Sequence, residues 1–157
     1  MDTDPLATLV QSLPAEGLSL SAGRDMPVLQ IAPGRLLELA RLLKLQLGYD
    51  MLSDLTAIDW LGQEPRFEVV WHLYGTGHHR RVRIKCRVAE ADPAVDSLGG
   101  LYGAACFMER ECHDMYGVGF RGNEDLRPIL LYEGFEGHPL RKDYPIDREQ
   151  PLVALRE

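Results

Sequence analysis

The sequence predicts a two-layer α+β domain, with helices on one face of a mixed or antiparallel sheet and an extended irregular C-terminal arm. Three observations lead to this fold class. Residues 66–74 and 80–88 alternate apolar and polar side chains, as the strands of a half-buried hairpin do. Residues 33–47 and 101–116 repeat apolar side chains at helical spacing. From Val118 onward, regular periodicity is lost.

Size and charge narrow the classes of protein that the chain can belong to. Its 157 residues suit one domain with its own core. A net charge of −7 argues against a nucleic-acid binder, because neutralising phosphates needs an excess of Lys and Arg. Apolar runs are too short to span a bilayer, and the acidic residues 1–5 do not resemble a signal peptide. We therefore expect no direct membrane span and attachment to a membrane through partner proteins.

The first helix, the first strand and the second helix follow from local signals. Residues 5–13 predict a short helix, because Asp4 can cap it and a proline occupies its first position. Residues 26–31 predict a short strand. Residues 33–47 form the clearest helix, since a proline lies near its start and Gly48 follows its end.

The helix at 33–47 is apolar on two sides. Its main apolar face is formed by Leu36, Leu39, Ala40, Leu43 and Leu47. Leu42 and Leu45 fall nearly opposite that face. The pattern indicates either a second packing partner or two leucines exposed to solvent.

A strand at 50–60 and the hairpin form the predicted sheet. In the hairpin, one face should be buried and the other should face water. The water-facing side of its second strand carries Arg81, Arg83, Lys85 and Arg87. These cations can keep sheet edges from aggregating, or they can dock an acidic partner. We favour the first interpretation. We expect His78 and His79, in the turn, to be solvated.

The predicted helix at 101–116 carries the side chains best suited to catalysis or metal binding. Before it, residues 92–97 predict a short helical turn. Gly117 ends the helix. Its polar run is Glu109, Arg110, Glu111, Cys112, His113 and Asp114. Glu109 and His113, with His138, are the candidates for a metal site in a stand-alone enzyme. We favour a surface ladder that pairs Glu109 with His113 and Arg110 with Asp114.

Motifs for cofactor binding are absent from the sequence. There is no Gly-rich dinucleotide or phosphate loop and no C-x-x-C pair. Cys86, Cys106 and Cys112 are expected to be reduced thiols, because their odd number and wide spacing do not suit a disulfide framework. We therefore predict no catalytic, cofactor-binding or metal-binding residue in this chain.

The C-terminal region predicts a partner-binding arm. Residues 118–145 are rich in Gly and Pro, and only 129–131 could form a strand. They also contain aromatic residues and arginines, which anchor interfaces more often than they occur in disordered tails. The predicted division is therefore a globular domain at 1–117 and an arm at 118–157 laid on another surface.

Three segments resemble the 30 kDa-type subunit family of NADH:quinone oxidoreductase, the respiratory complex I. The first is the run from Glu109 to Gly117, and the second is Asp125-Leu-Arg-Pro-Ile-Leu-Leu131. The third is Glu136-Gly-His-Pro-Leu-Arg-Lys-Asp-Tyr-Pro145, and Asp54-Leu-Thr-Ala-Ile-Asp-Trp60 adds a weaker likeness. The sequence departs from the family where Cys112-His113 replaces an aromatic pair and where a tryptophan is missing near Cys106-Phe107.

This resemblance implies a cofactor-free structural subunit in the peripheral arm of a proton-translocating complex. NADH, FMN, iron–sulfur clusters and quinone would be bound by partner subunits. The partners would be the quinone-site subunit and neighbouring iron–sulfur subunits, at the cytoplasmic face of the inner membrane. The same motifs also fit the equivalent subunit of a membrane-bound hydrogenase, a deazaflavin-linked dehydrogenase or a plastoquinone-reducing complex.

The resemblance also implies which residues form the family motif and the subunit interface. They are Glu109, Arg110, Glu111, Asp114, Arg127, His138, Pro139, Leu140, Arg141, Lys142, Asp143 and Tyr144. We expect those of the helix to hold it against the arm. We expect Arg127 and the run 141–144 to contact other subunits, so that replacing Arg141 and Tyr144 together by alanine would impair assembly and spare the fold.

Overall fold

The computed structural model describes residues 4–150 and has an α+β fold with a mixed sheet, which confirms the predicted fold class. Within that range the helices are α1 (Pro5–Ser12), α2 (Leu36–Leu45) and α3 (Ala105–Tyr116), with a 3₁₀ turn at Pro33–Arg35. The strands are β1 (Leu18–Ser21), β2 (Val28–Ile31), β3 (Met51–Asp59), β4 (Phe67–Gly75), β5 (Arg80–Val88), β6 (Ala94–Asp96) and β7 (Gly119–Arg121). No helix in the described range is long and apolar enough to cross a membrane.

The main sheet has five strands in the order β1-β2-β5-β4-β3. Strand β4 pairs antiparallel with both β3 and β5, whereas β2 pairs parallel with β5. The predicted hairpin is therefore the centre of the sheet, with Trp71 opposite Ile84 and Leu73 opposite Val82. A separate short parallel pair joins β6 to β7.

The core is built from the inward face of this sheet and the apolar face of α2. Its largest fully buried side chains include Trp71, Phe67, Leu29, Leu36, Leu39 and Leu43. Each contributes roughly 1.5–3 kcal/mol through burial. Of the two leucines opposite the main face of α2, Leu42 packs partly against the core and Leu45 is exposed. The two-sided pattern thus reflects one extra partial contact and one exposed side chain.

Helix α3 packs against β3, the strand at one end of the main sheet. The Tyr102 hydroxyl, just before α3, donates to the Tyr49 carbonyl, just before β3. At its other end, α3 stops at Gly117, which has a φ of +76°. The Gly117 N–H donates to the His113 carbonyl at 2.8 Å, as expected for a glycine that ends a helix.

The prediction of a uniformly wet outer face on the hairpin is wrong. Glu68 and Val70 point to that side and are nevertheless buried. The Lys85 ammonium lies 3.1 Å from the Glu68 carboxylate, and Arg83 pairs with Asp25 at 3.1 Å. Two cations of this face therefore have carboxylate partners within the chain. The interpretation that the cations protect a sheet edge is wrong, because β5 lies between β2 and β4 and is not an edge strand.

Secondary structure was also missed around the arm. Residues 119–121 form strand β7 beside β6, and Phe120 is buried in the core. The irregular region thus begins at Gly122. Residues 94–96 form β6 and not a helical turn, and 129–131 form no strand. Strand β1 was also not predicted, because four residues carry too little alternation to identify a strand.

Candidate functional site: an arm anchored to the domain at two points

The irregular segment at 122–150, called the arm below, begins beside the buried carboxylate of Glu109 on α3. Glu109 is fully buried and accepts hydrogen bonds from Ser97 Oγ at 2.7 Å, the Leu98 N–H at 2.8 Å and Asn123 Nδ2 at 2.9 Å. Burial raises the pKa of Glu109, while these hydrogen bonds act in the opposite direction. The residue joins α3 to the loop after β6 and to the start of the arm. Its predicted pairing with His113 on the helix surface is therefore wrong.

Asp114 is the first anchor of the arm. One of its carboxylate oxygens accepts from the N–H groups of Ile129, Leu130 and Leu131, at 2.8, 3.0 and 3.3 Å. Burial alone would raise the pKa of Asp114, but these N–H groups together bring it below its usual range.

Arg110 strengthens this anchor from one turn earlier on α3. Its guanidinium donates to the carbonyls of Arg127 and Pro128, both at 2.9 Å. Arg110 and Asp114 thus hold consecutive stretches of the arm and do not pair with each other as a ladder. Glu109, Arg110 and Asp114 of the motif helix thus each contact the arm, while the wider role predicted for the motif stays a prediction.

The middle of the arm packs on the end of α3. The His138 ring donates from Nδ1 to the Asp114 carbonyl at 2.9 Å, and the Leu140 N–H donates to the Met115 carbonyl at 3.0 Å. A Cβ on Gly117 would lie 2.7 Å from the His138 ring. Glycine at 117 therefore serves both the left-handed end of α3 and the close approach of the arm.

The second anchor, called the clasp below, is an ionic cluster of Asp59, Arg66, Glu90, Arg141 and Asp143. The Arg66 guanidinium makes two parallel 2.8 Å bonds to the Asp59 carboxylate, and its Nη1 donates to Glu90 at 2.6 Å and to Asp143 at 2.9 Å. Arg141 also reaches Glu90 and Asp143, at 3.2 and 3.0 Å. The clasp fixes the arm to the end of the main sheet.

The electrostatics of the clasp favour charged side chains. Hydrogen bonding to Arg66 holds the pKa of Asp59 below its usual range, although burial opposes this effect. Arg141 and then Arg66 lower the pKa of Asp143 in the same way. The Asp59 and Arg66 side chains are 1% and 2% exposed, so each needs the other as a counter-charge.

The remaining predicted motif residues are more exposed. Glu111 is exposed, with no hydrogen bond or ion pair to another residue in the described range, and Arg127 is 80% exposed and pairs with Asp125. The Lys142 side chain is exposed. Tyr144 stacks on Phe135, with ring centroids 6.2 Å apart. The interface role predicted for these side chains stays a prediction.

The arm exposes four apolar side chains, which are together called the ridge below. Its exposed members are Ile129, Leu130, Leu140 and Ile146, at 39%, 62%, 52% and 103% of full exposure. Pro139, between two of the anchored stretches, is half-buried. Since the backbone beneath Ile129 and Leu130 is bonded to Asp114, these side chains are presented outward from a fixed loop.

Sequence reasoning missed Arg66, Glu90 and Asn123 as parts of the site. Asp59 is the residue from which the clasp could have been predicted. The alternation Leu55, Ala57, Asp59 places a carboxylate on the apolar face of β3, where it requires a cation. The identity of that cation depends on which loop closes over the strand end.

Metal binding finds no support in the arrangement of ligands. Within residues 4–150, no three His, Cys, Asp or Glu side chains converge as a metal site requires. His113 donates from Nδ1 to the Val118 carbonyl at 2.9 Å, and its ring meets that of His138 edge to face at 5.9 Å. Glu109 is turned away from them toward Ser97 and Leu98.

The anchoring carboxylates predict that the fold is sensitive to acid. A carboxyl group whose pKa is lower in the folded state stabilises it above the unfolded pKa, and this contribution is lost as the pH falls. Asp59, Asp114 and Asp143 are of this kind, whereas Glu109, with a raised pKa, acts in the opposite sense. We expect the free energy of unfolding in urea to fall below about pH 5, with a shallower decline in Asp114→Asn. A profile that stays level down to about pH 3 would contradict this.

Comparison with known proteins places the chain among respiratory proteins. Residues 29–150 match the family model described as "Respiratory-chain NADH dehydrogenase, 30 Kd subunit". A subunit of the NADH-quinone oxidoreductase of Roseiflexus castenholzii is 42% identical, over 97% of this chain and 88% of its own. Its counterpart in Geobacter sulfurreducens is 39% identical over 90% of both chains.

Two solved structures share the fold of this chain. A trypsin-resistant fragment of Nqo5 is 27% identical and has a TM-score of 0.68, covering 77% of this chain and 98% of the fragment. A chain of an archaeal membrane-bound sulfane sulfur reductase has a TM-score of 0.76 over 90% of this chain and 84% of its own. At 23% identity, the second likeness shows the fold alone.

Proposed function

Because the chain belongs to the family of the 30 kDa subunit of respiratory-chain NADH dehydrogenase, we propose that it is a cofactor-free structural and assembly subunit of the peripheral arm of NADH:quinone oxidoreductase. It is a subunit of a multi-subunit respiratory complex, and its partners are other subunits of that complex. The observation that carries the proposal is the anchored arm with its outward apolar ridge.

The arm supports a role in assembly because it is ordered without regular secondary structure. Asp114 and the clasp fix its backbone at two points, while Leu130 and Leu140 stay exposed. A loop that is already ordered loses less conformational entropy when a partner binds it. Apolar side chains at the centre of such a surface are the usual anchors of protein–protein interfaces.

The chemistry of the thiols supports the absence of a redox centre in this chain. Iron–sulfur clusters are held by cysteine thiolates. Cys86 and Cys112 are buried. Burial raises the pKa of Cys86 to about 12, and it also raises the pKa of Cys112. In the absence of a metal, these buried thiols stay protonated at neutral pH. The sequence also lacks a dinucleotide-binding loop.

In the proposed arrangement, the chain lies at the cytoplasmic face of the inner membrane and is attached through its partners. The arm packs against the quinone-site subunit and neighbouring iron–sulfur subunits. NADH, FMN, the clusters and quinone are bound by those subunits, and this chain contributes no catalytic residue to electron transfer.

Placing a charge on the ridge should impair assembly without unfolding the chain. Leu130→Asp changes an exposed side chain, so we expect its unfolding midpoint to stay close to that of the wild type. When the ridge is buried in an interface, the introduced carboxylate should weaken binding of the partner subunit by about 2 kcal/mol or more, which is roughly 30-fold in affinity. Leu45→Asp, on α2 and even more exposed, is the matched control. The measurement is the amount of each variant recovered in the intact complex. Equal recovery of both variants would contradict a role of the ridge in assembly.

The proposal as a whole is tested by a tagged full-length chain purified from gently solubilised native membranes. Mass spectrometry should identify the quinone-site and iron–sulfur subunits, and the sample should reduce quinone with NADH. Recovery of nickel-containing or deazaflavin-linked partners would instead identify the equivalent subunit of a related complex. A chain recovered alone would overturn the assignment to an assembly role.

A further inference from the structure

Among the carboxylates that are buried in the described part of the chain, Asp114 is an anion without a cationic partner. The others are Asp59, Glu68 and Glu109. The first two form ion pairs with basic side chains, at 2.8 and 3.1 Å. Burial raises the pKa of Glu109, which favours its neutral form. Asp114 is 3% exposed, but the pKa of its carboxyl lies below the usual range, so it is buried in its charged form.

The hydrogen bonds of Asp114 use only one of its two oxygens. Oδ2 accepts from three N–H groups of the arm, whereas Oδ1 has no hydrogen bond in the described range. Oδ1 still reaches solvent, because the sealed side-chain atoms without a partner in that range are the ring nitrogens of Trp60 and Trp71. Arg110 and His113, also on α3, donate to backbone carbonyls and form no ion pair with Asp114. Since a buried charge requires a counter-charge, Oδ1 is a place where a cation can bind.

A hollow of about 140 Å³ lies between α3 and the arm, and Asp114 forms part of its wall. The wall also contains two imidazoles, two leucines and two aromatic rings, from His113, His138, Leu126, Leu131, Tyr132 and Phe135. The arm stretch 131–138 carries two glutamates and no lysine or arginine. A cavity of about 150 Å³ holds a benzene ring, so a planar cationic group fits in this hollow. The hollow is thus acidic, aromatic and large enough for the charged end of a side chain.

We propose that the hollow receives an arginine side chain of a partner subunit, whose guanidinium pairs with Oδ1 of Asp114. The inference rests on the proposed function and deepens it, because it names the side chain that the partner contributes at this point. Arginine suits the hollow better than lysine, since its planar guanidinium stacks on aromatic rings and donates to a carboxylate in a fixed geometry. Arginine is also enriched in protein–protein interfaces, where the exclusion of water strengthens such a pair.

A binding experiment with the full chain tests the hollow without any partner. The probe is N-acetyl-arginine amide, and the matched control is N-acetyl-citrulline amide, which has nearly the same shape but no charge. The amides of Ile129, Leu130 and Leu131 report binding in NMR spectra, because they donate to the other oxygen of the same carboxylate. We expect saturable shifts of these amides with the arginine compound and binding of the citrulline compound that is weaker by about tenfold or more. Equal binding of both compounds, or no saturable shift, would overturn the proposal.

Two variants locate the charge that the probe recognises. Asp114→Asn keeps an acceptor oxygen for the arm but removes the anion, so the arginine compound should bind about tenfold more weakly or worse. Glu111→Gln removes the same charge from an exposed position on the same helix and should leave binding nearly unchanged. Equal losses in the two variants would mean that the probe follows the general acidity of the surface, which would overturn the proposal.

Photo-cross-linking tests the same contact in the assembled complex. The cross-linking amino acid replaces Glu133, which is exposed and lies between Tyr132 and Gly134 of the hollow. We expect an adduct with a partner segment that contains an arginine, and replacing that arginine by glutamine should reduce recovery of the complex by about tenfold. A complex that assembles without such an adduct would overturn this proposal and leave the assembly role intact. A chain recovered alone would contradict both.

Discussion

Replacing Arg66 with alanine is expected to destabilise the fold by roughly 3–5 kcal/mol, a large part of the stability of a typical domain. The reason is the burial of its partner. The Asp59 side chain is 1% exposed and would lose both bonds of the pair, leaving a carboxylate in an apolar environment. Removing one member of a buried pair costs more than the pair contributes, because the remaining charge must be desolvated alone.

The measurement is urea unfolding followed by circular dichroism, with Arg121→Ala as the matched control. Arg121 makes a 2.7 Å ion pair with Asp92, but these side chains are 53% and 74% exposed. Exposed pairs contribute about 1 kcal/mol or less, so the control should change stability little. Arg66→Lys should fall between the two, since an ammonium keeps the charge but lacks the planar fork. Similar losses for Arg66→Ala and Arg121→Ala would show that the clasp is not a buried pair in solution.

Replacing Asp114 with alanine is expected to release the arm from α3 while the sheet stays folded. Ile129, Leu130 and Leu131 share this one carboxylate as acceptor for their N–H groups. Hydrogen bonds to a charged group contribute about 1.5–3 kcal/mol each, and three that share one oxygen are not additive. We expect the free energy of local opening to fall by about 2–4 kcal/mol, because water can replace the acceptor once the loop lifts.

Hydrogen exchange at the amides of Ile129, Leu130 and Leu131 reports this release, and it should become faster by about 30-fold or more. Amides of the central strands β4 and β5 should exchange nearly as in the wild type. Asp114→Asn keeps an acceptor oxygen and should lie between alanine and the wild type. Uniform acceleration across the sheet would mean that Asp114 stabilises the whole domain and is not a local anchor. Under the proposed function, the alanine variant should also be depleted from the complex.

The helix α3 shows how far sequence reasoning reached and where it failed. Its end at Gly117 followed from glycine chemistry, whereas its start was predicted at 101 and lies at Ala105. The roles of its polar side chains did not, because an i,i+4 spacing permits pairing without requiring it. Glu109 instead turns inward to Ser97, and Arg110 reaches the carbonyls of Arg127 and Pro128. Contacts across 12 to 18 positions in the chain therefore decided which charges are structural.

The sequence by itself determined the longer local elements, although not the short strands β1, β6 and β7. Alternation in β4 and β5, helical spacing in α2 and the capping residue Asp4 each act over a few residues, so they can be read without the fold. The family motifs also lie in continuous stretches.

The tertiary structure alone decided how the arm is held. Arg66 meets Asp143 across 77 positions, and Asp59 meets the Lys142 N–H across 83. The physical reason is that a buried charge requires a partner but does not specify where in the chain that partner lies. Only the closed fold shows that the arm adds Asp143 and the Lys142 N–H to the buried Asp59–Arg66 pair, and that the clasp turns a segment without regular structure into a fixed surface.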